Sequence, residues 1–139
     1  MGNLFDTVEN LSELTIKNIV KSIKELRPGI IDITMMKLSN TILVRIRFNM
    51  DNDYMSDAIS CFLNSGIGGE FLVENNFNFN RLDEAFHKCI PCNWKLEEFV
   101  LMIESLLDKI KESVIEDKTY FTKDEKQIAI DEIQQLLGT

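Results

Sequence analysis

The sequence is poor in the residues on which catalysis most often depends. It contains one histidine, one tryptophan, two prolines and three cysteines among 139 residues. With a single histidine, any Ser-His-Asp or Cys-His arrangement must use His87, and no nucleophile-elbow motif is present. An odd cysteine count with no secretory signal is typical of a reducing compartment. We therefore predict a cytoplasmic protein that is not an enzyme and needs no cofactor.

Long apolar runs are also missing. No segment approaches the roughly 20 apolar residues that cross a bilayer, so we predict no membrane association. The net charge of −8 is uneven, because residues 1–49 carry seven Lys/Arg against five Asp/Glu whereas residues 97–139 carry five against eleven. An acidic C-terminal half repels phosphate, which argues against direct nucleic-acid binding and favours a basic protein partner. A surface that serves only solubility is the alternative.

The N-terminal third predicts a helix followed by a β-hairpin. Val8, Leu11, Thr15, Ile19, Ile23 and Leu26 recur at helical spacing after an Asp6/Glu9 cap, and Pro28-Gly29 ends the helix. Residues 30–38 and 41–48 then alternate apolar and polar around a two-residue Ser39-Asn40 turn. The register that follows pairs Met35/Val44, Ile33/Ile46, Ile31/Phe48, Thr34/Arg45 and the oppositely charged Asp32/Arg47.

The middle of the chain predicts a short helix, a glycine-rich turn and strands. Tyr54–Asn64 has a helical apolar stripe formed by Met55, Ala58, Ile59 and Phe62, with Cys61 beside it. We expect Gly66, Gly68 and Gly69 to end this helix and residues 70–74 to form a strand. Phe77 and Phe79 alternate with asparagines, which predicts strand residues that face the core. If exposed, they would form an apolar groove for a partner segment.

The last third predicts a strand and two helices. Residues 85–92 form the strand, with Pro91 near its end, and Asn93 caps a long helix with a broad apolar stripe over 96–114. Thr122-Lys123-Asp124-Glu125 is a capping box that opens a final helix over 122–137, with Ala129, Ile130, Ile133, Leu136 and Leu137 inward and Gly138 after it. We predict one α+β domain over 1–139. Its antiparallel sheet is packed by the N-terminal and long C-terminal helices, with a core over 8–116 and an appended helix over 122–137.

The histidine and two cysteines are close together in the sequence and suggest two alternative chemistries. Cys89-Ile90-Pro91-Cys92 has the spacing of thioredoxin-like redox centres and precedes a helix, but no later strand can carry the proline that such folds use. A zinc site would need His87, Cys89, Cys92 and the distant Cys61, and structural zinc sites usually use paired knuckles. We favour structural roles for these thiols, with His87 at the surface, and predict no metal.

The segment HKCIPCNWKLEEFVLMIESLLDKI joins a strand directly to a long amphipathic helix. The chain resembles the YbjN and type III secretion chaperone-like families over about residues 8–116. The resemblance rests on this strand-to-helix unit, the small size of the chain and its excess of acidic residues. The resemblance implies an α+β domain that often dimerises and binds polypeptide without catalysis. It carries no individual functional residues to this chain.

We predict a non-enzymatic protein-binding module, chaperone- or adaptor-like, that forms a homodimer or binds another protein. The candidate contacts combine surplus apolar residues with acids of the long helix: Phe77, Phe79, Leu101, Met102, Leu106, Glu104, Asp108 and Glu112. One alternative is a small acidic inhibitor or immunity protein that blocks a nucleic-acid-handling enzyme by presenting acids in place of phosphates. The other is a thiol redox or zinc protein that uses the His87/Cys89/Cys92 cluster.

Overall fold

Five helices and a four-stranded antiparallel sheet make up the part of the chain that the computed structural model describes, residues 13–26, 30–48 and 53–137. The helices are α1 (Glu13–Leu26), α2 (Asp53–Asn64), α3 (Gly66–Glu74), α4 (Leu96–Glu116) and α5 (Lys123–Leu136). The strands are β1 (Ile30–Lys37), β2 (Thr41–Phe48), β3 (Asn78–Asn80) and β4 (Ala85–Pro91), in the sheet order β1-β2-β4-β3. This confirms the predicted α+β class.

The hairpin of β1 and β2 has the predicted register over most of its length. The backbone N–H of Leu38 donates to the carbonyl of Thr41 across the Ser39-Asn40 turn at 2.8 Å. Four of the predicted pairs are confirmed, namely Asp32/Arg47, Ile33/Ile46, Thr34/Arg45 and Met35/Val44. The Ile31/Phe48 pair is wrong, because the register shifts between Ile30 and Asp32 and places Ile30 opposite Phe48. A β-bulge of this kind adds one residue to one strand.

The core lies on one face of the sheet. Alternate residues of β2 are buried there, namely Ile42, Val44, Ile46 and Phe48. They form one cluster with residues of α1, α2, α4 and α5. On α1 the buried residues are Ile16, Ile19 and Ile23, whereas the predicted Thr15 and Leu26 are exposed. The predicted cap at Asp6/Glu9, Val8, Leu11 and the Pro28-Gly29 stop lie outside the described residues.

The segment predicted as a glycine turn and a strand over 70–74 is instead the helix α3. Ser65 is its N-cap, and the Ser65 hydroxyl accepts a hydrogen bond from the backbone N–H of Gly68 at 2.9 Å. Gly68 lies against the preceding helix, since a Cβ at this position would be 1.7 Å from the carbonyl oxygen of Phe62. The glycine therefore permits close helix packing, and the cap offsets the poor helix propensity of the sequence.

The path from α3 to α4 includes the predicted strand β4 over Ala85–Pro91. Asn76, with φ of 55°, turns the chain out of α3, and β3 begins at Asn78, so Phe79 is a strand residue as predicted whereas Phe77 precedes the strand. Residues 81–84 form the turn that joins β3 to β4. The predicted cap at Asn93 is wrong. The N-cap is Lys95, whose backbone N–H donates to the Glu98 carboxylate at 3.5 Å.

The final helix α5 begins as predicted and packs on α4 and α2. The Thr122 hydroxyl accepts from the backbone N–H of Glu125 at 3.2 Å, and the Glu125 carboxylate accepts from that of Thr122 at 2.9 Å. Ala129 and Ile133 are buried in the same cluster as the sheet, with Ile130, Leu136 and Leu137 partly buried beside them. Gly138 lies outside the described residues. Across residues 13–26, 30–48 and 53–137, no helix has the length and apolarity to cross a membrane.

Candidate binding groove

A groove of about 340 Å³ lies between α4 and the segment that joins α3 to β3. Its apolar walls are formed by Phe71, Phe77, Trp94, Leu101 and Met102. Its polar lining consists of Asn75, Lys88, Glu98 and Ser105. The volume falls in the range of roughly 300–1,000 Å³ that is usual for ligand sites, and the mixture of apolar walls with a few polar groups is also typical. Three of the predicted contact residues, Phe77, Leu101 and Met102, thus come together here.

Aromatic rings form the wall on the α3 side. Phe71 and Phe77 stack with their centroids 5.8 Å apart and an interplanar angle of 21°. Phe77 also packs edge-to-face on Phe86, at 6.5 Å, and is buried, as predicted for a core-facing residue. Phe79 is half-buried and packs on Phe86 at 4.9 Å, away from the groove lining. Phe77 therefore belongs to both the core and the groove, whereas Phe79 supports the sheet.

The first turns of α4 form the opposite wall. Leu101 is 61 % exposed, while the neighbouring Met102 is buried and forms part of the floor. Trp94, half-buried just before the helix, packs edge-to-face on Phe99 at 5.4 Å. Leu106 is fully buried, so it stabilises the core and cannot belong to a binding surface as we predicted.

Lys88 occupies a position of β4 that faces the helices. Along this strand the neighbouring inward residues, Phe86 and Ile90, are almost completely buried. The Lys88 ammonium donates to the backbone carbonyl of Asn75 and lies 5.2 Å from the centroid of the Phe77 ring. Burial lowers the pKa of Lys88, because a less hydrated site disfavours the charged form, and nearby Cys89 opposes this only in part. Among the described residues, no carboxylate forms an ion pair with this ammonium.

The predicted acidic contacts on α4 lie outside the groove. Asp108 is exposed, Glu104 is half-buried, and Glu112 pairs with Lys109 at 3.0 Å. The acid of the groove lining is instead Glu98, in the first turn of the helix.

The four candidate metal or redox residues are spread over different environments. Cys89 is exposed and lies opposite Leu43 on the outer face of the sheet, whereas Cys92 is buried. Buried Cys61 donates from Sγ to the Ser113 carbonyl oxygen at 3.4 Å and contacts Asp117 Oδ1 at 3.6 Å. Burial and the Asp117 carboxylate raise the pKa of Cys61 to about 11, so this thiol is protonated at neutral pH. Within the described part of the chain, no three metal-binding side chains are grouped.

His87 belongs to a cluster of ion pairs on the outer face of the sheet. Asp83 Oδ2 accepts from Arg45 Nε at 2.9 Å and contacts His87 Nε2 at 3.0 Å. Asp32 pairs with Arg45 at 3.4 Å, although Arg47 is its register partner on β2. Burial alone would raise the pKa of Asp83, but the hydrogen bonds from Arg45 and His87 outweigh it and lower this pKa. These contacts hold Asp83 and His87 together on this face of the sheet.

No protein-family model matches the chain, and neither the curated proteins nor the solved structures contain a match. The function must therefore be inferred from the chemistry of its own surfaces.

The sequence prediction missed the polar half of this site. Lys88, Glu98 and Trp94 were not among the predicted contacts, although one local signal was present. In the strand 85–91, Lys88 interrupts an apolar row between Phe86 and Ile90. Polar residues at core positions are concentrated at functional sites, because they reduce stability unless a ligand or partner compensates.

Proposed function

We propose that this chain is a non-enzymatic protein-binding module whose groove receives a large apolar side chain from a partner polypeptide. The observation that carries the proposal is the exposure of Leu101 in a groove whose apolar lining includes Phe77 and Met102. Burying one large apolar side chain contributes about 1.5–3 kcal/mol, and such anchors dominate the energetics of protein interfaces. Binding polypeptide without catalysis is also what the resemblance to the YbjN and type III secretion chaperone-like families implies.

The charge of the molecule supports a basic partner. The region that contains α4 and α5, residues 97–139, carries five Lys/Arg against eleven Asp/Glu. A surface of one sign accelerates association with an oppositely charged protein and opposes association with anionic polymers. We therefore expect the apolar anchor to be flanked by basic residues, and we expect added salt to slow association.

The test is selection from a random peptide library against the wild-type protein, followed by binding measurements with two variants. Leu101→Asp introduces a charge at the groove. Leu82→Asp is the matched control, because Leu82 is 97 % exposed and lies in the turn before β4. Fluorescence anisotropy with the selected peptides should show binding that is at least about tenfold weaker for Leu101→Asp and unchanged for Leu82→Asp.

Circular dichroism and thermal unfolding must show that both variants fold. If the library yields no peptide, or if the selected peptides bind Leu101→Asp as tightly as wild type, the groove is not the binding site and the proposal is wrong.

A further inference from the structure

We propose that Lys88 binds a carboxylate of the partner polypeptide, so that the preferred segment places an acidic side chain or its C-terminal carboxylate beside the apolar anchor. This inference rests on the proposed function and specifies the ligand chemistry of the same groove.

The first argument is the position of Lys88 in the fold. Its neighbours on the inward face of β4, Phe86 and Ile90, fill the core, and its partner in register is the fully buried Val44. An apolar side chain at position 88 would complete this row. A partly desolvated ammonium costs free energy there unless a counter-charge compensates it.

The second argument is the incomplete set of contacts that the ammonium makes. It donates to one backbone carbonyl, that of Asn75, and contacts the face of the Phe77 ring. A lysine ammonium has three N–H donors. In residues 13–26, 30–48 and 53–137, none of the ion pairs involves Lys88. Donors therefore remain for a ligand, and a carboxylate supplies both the acceptor and the missing charge.

The third argument identifies the ligand as a polypeptide. Lys88 and Glu98 give the groove opposite charges, and Asn75 and Ser105 add further hydrogen-bonding groups. A fatty-acid chain would pair with the ammonium and the apolar wall but would offer nothing to Glu98 and Ser105, which are exposed at the groove. A peptide carries amide N–H and carbonyl groups beside its side chains and can pair with all of them. We therefore expect a peptide with a carboxylate near Lys88 and an N–H donor or a cation near Glu98.

The inference also gives the partner a distinct charge pattern. The acidic region 97–139 attracts basic residues at a distance, whereas Lys88 selects a carboxylate at the apolar anchor. A partner segment with an acidic-apolar centre and basic flanks would meet both conditions, and a uniformly basic segment would not.

The experiment is a cycle that combines changes in the protein with changes in the ligand. The peptides are those selected against the wild-type protein, each compared with forms in which Glu or Asp is replaced by its amide or the C-terminus is amidated. The proteins are wild type, Lys88→Met and Lys88→Arg. Methionine is unbranched like lysine, one heavy atom shorter and uncharged, so we expect Lys88→Met to fold, with thermal unfolding as the check.

We expect one of the amide forms to bind wild type at least about tenfold more weakly than its carboxylate form, as for a charge-assisted hydrogen bond. With Lys88→Met the same pair of peptides should differ less than about twofold, and Lys88→Arg should retain most of the preference. Wild-type binding that depends on Leu101 but does not distinguish carboxylate from amide would overturn this inference and leave the proposed function intact.

Dodecanoate serves as the test of the lipid alternative. If it binds in a Lys88-dependent manner while no peptide binds in a Leu101-dependent manner, the ligand is a free fatty acid. That result would overturn both proposals.

Discussion

The close packing between α2 and α3 depends on the absence of a Cβ atom at Gly68. The neighbouring Gly69 has free space around it, so comparing substitutions at the two glycines distinguishes steric packing from helix propensity. A Cβ on Gly68 would lie 1.7 Å from the Phe62 carbonyl oxygen and 3.2 Å from the Phe62 ring, whereas a Cβ on Gly69 meets nothing within 4 Å. The clash is with backbone, which cannot rotate away. The two positions therefore have opposite requirements although they are neighbours in the sequence.

We predict that Gly68→Ala lowers the free energy of unfolding by about 3 kcal/mol or more, at the upper end of overpacking penalties. Gly69→Ala should raise it by roughly 0.5–1 kcal/mol, because alanine is the better helix former. Urea unfolding followed by circular dichroism measures both. Equal effects at the two positions would show that α3 does not lie against Phe62.

This contact also shows why α3 was not predicted. Three glycines within four residues indicate a turn on propensity alone, and the reason for Gly68 is a contact between two helices. The groove around Lys88 was also not predictable from local sequence. The position of Lys88 in an apolar row is visible in the sequence, but the groove is formed by residues of α3, β4 and α4, which are distant in the chain.

The carboxylate of Asp83 makes stability depend on pH in one direction. Its pKa is lowered in the folded protein, so it stabilises the fold above its unfolded pKa of about 3.9 and loses this effect as pH falls through the folded value. We predict that Asp83→Asn is less stable than wild type at pH 7 and that the difference shrinks below about pH 4. Urea midpoints between neutral and acidic pH provide the measurement.

Asp108→Asn controls for the change in net charge, because it removes an exposed carboxylate of α4. A difference between Asp83→Asn and wild type that stays constant at all pH values would contradict the role given to the Arg45 and His87 hydrogen bonds.

Among the elements, those with local signals were predicted well. The β1–β2 hairpin followed from period-two alternation and a two-residue turn, and its register is correct from Asp32 to Met35. The β-bulge between Ile30 and Asp32 was not predicted, because the alternation of apolar and polar residues continues through Ile31 in the sequence. The beginning of α4 was misplaced for a similar reason. Asn93 is a better cap in isolation, but the structure uses Lys95 and Glu98.

The capping box of α5 provides a test at the scale of one element. The Thr122 hydroxyl accepts from the Glu125 backbone N–H, which is otherwise one of the unsatisfied donors of the first helical turn. We predict that Thr122→Ala lowers the free energy of unfolding by about 1 kcal/mol. Thr119→Ala makes the same chemical change in the preceding loop, at an exposed position. If both variants lose equal stability, the effect is not that of the cap.

For the molecule as a whole, α5 is part of the main core. It packs on α4 and α2, and Ile133 is fully buried among residues that also contact the sheet. A helix attached in this way should unfold together with the rest of the chain. The sequence indicated the apolar face of this helix but not which surface it would cover.

We predict that Ile133→Ala lowers the free energy of unfolding by about 2–5 kcal/mol and leaves a single transition. Ile128→Ala, at an exposed position of the same helix, should change stability by less than about 0.5 kcal/mol. Calorimetry and amide hydrogen exchange are the measurements. Exchange of the α5 amides at a much lower free energy than those of β2 would instead mark α5 as a separately unfolding unit.

The lysine on the inward face of β4 has a consequence for how this protein would respond to selection in the laboratory. Heat resistance alone favours an aliphatic residue at position 88, since that replacement removes a poorly hydrated charge and extends the row of Phe86 and Ile90. A library screened only for survival at high temperature should therefore lose this cation early. A library screened for recognition should keep it and accumulate its thermostabilising changes elsewhere.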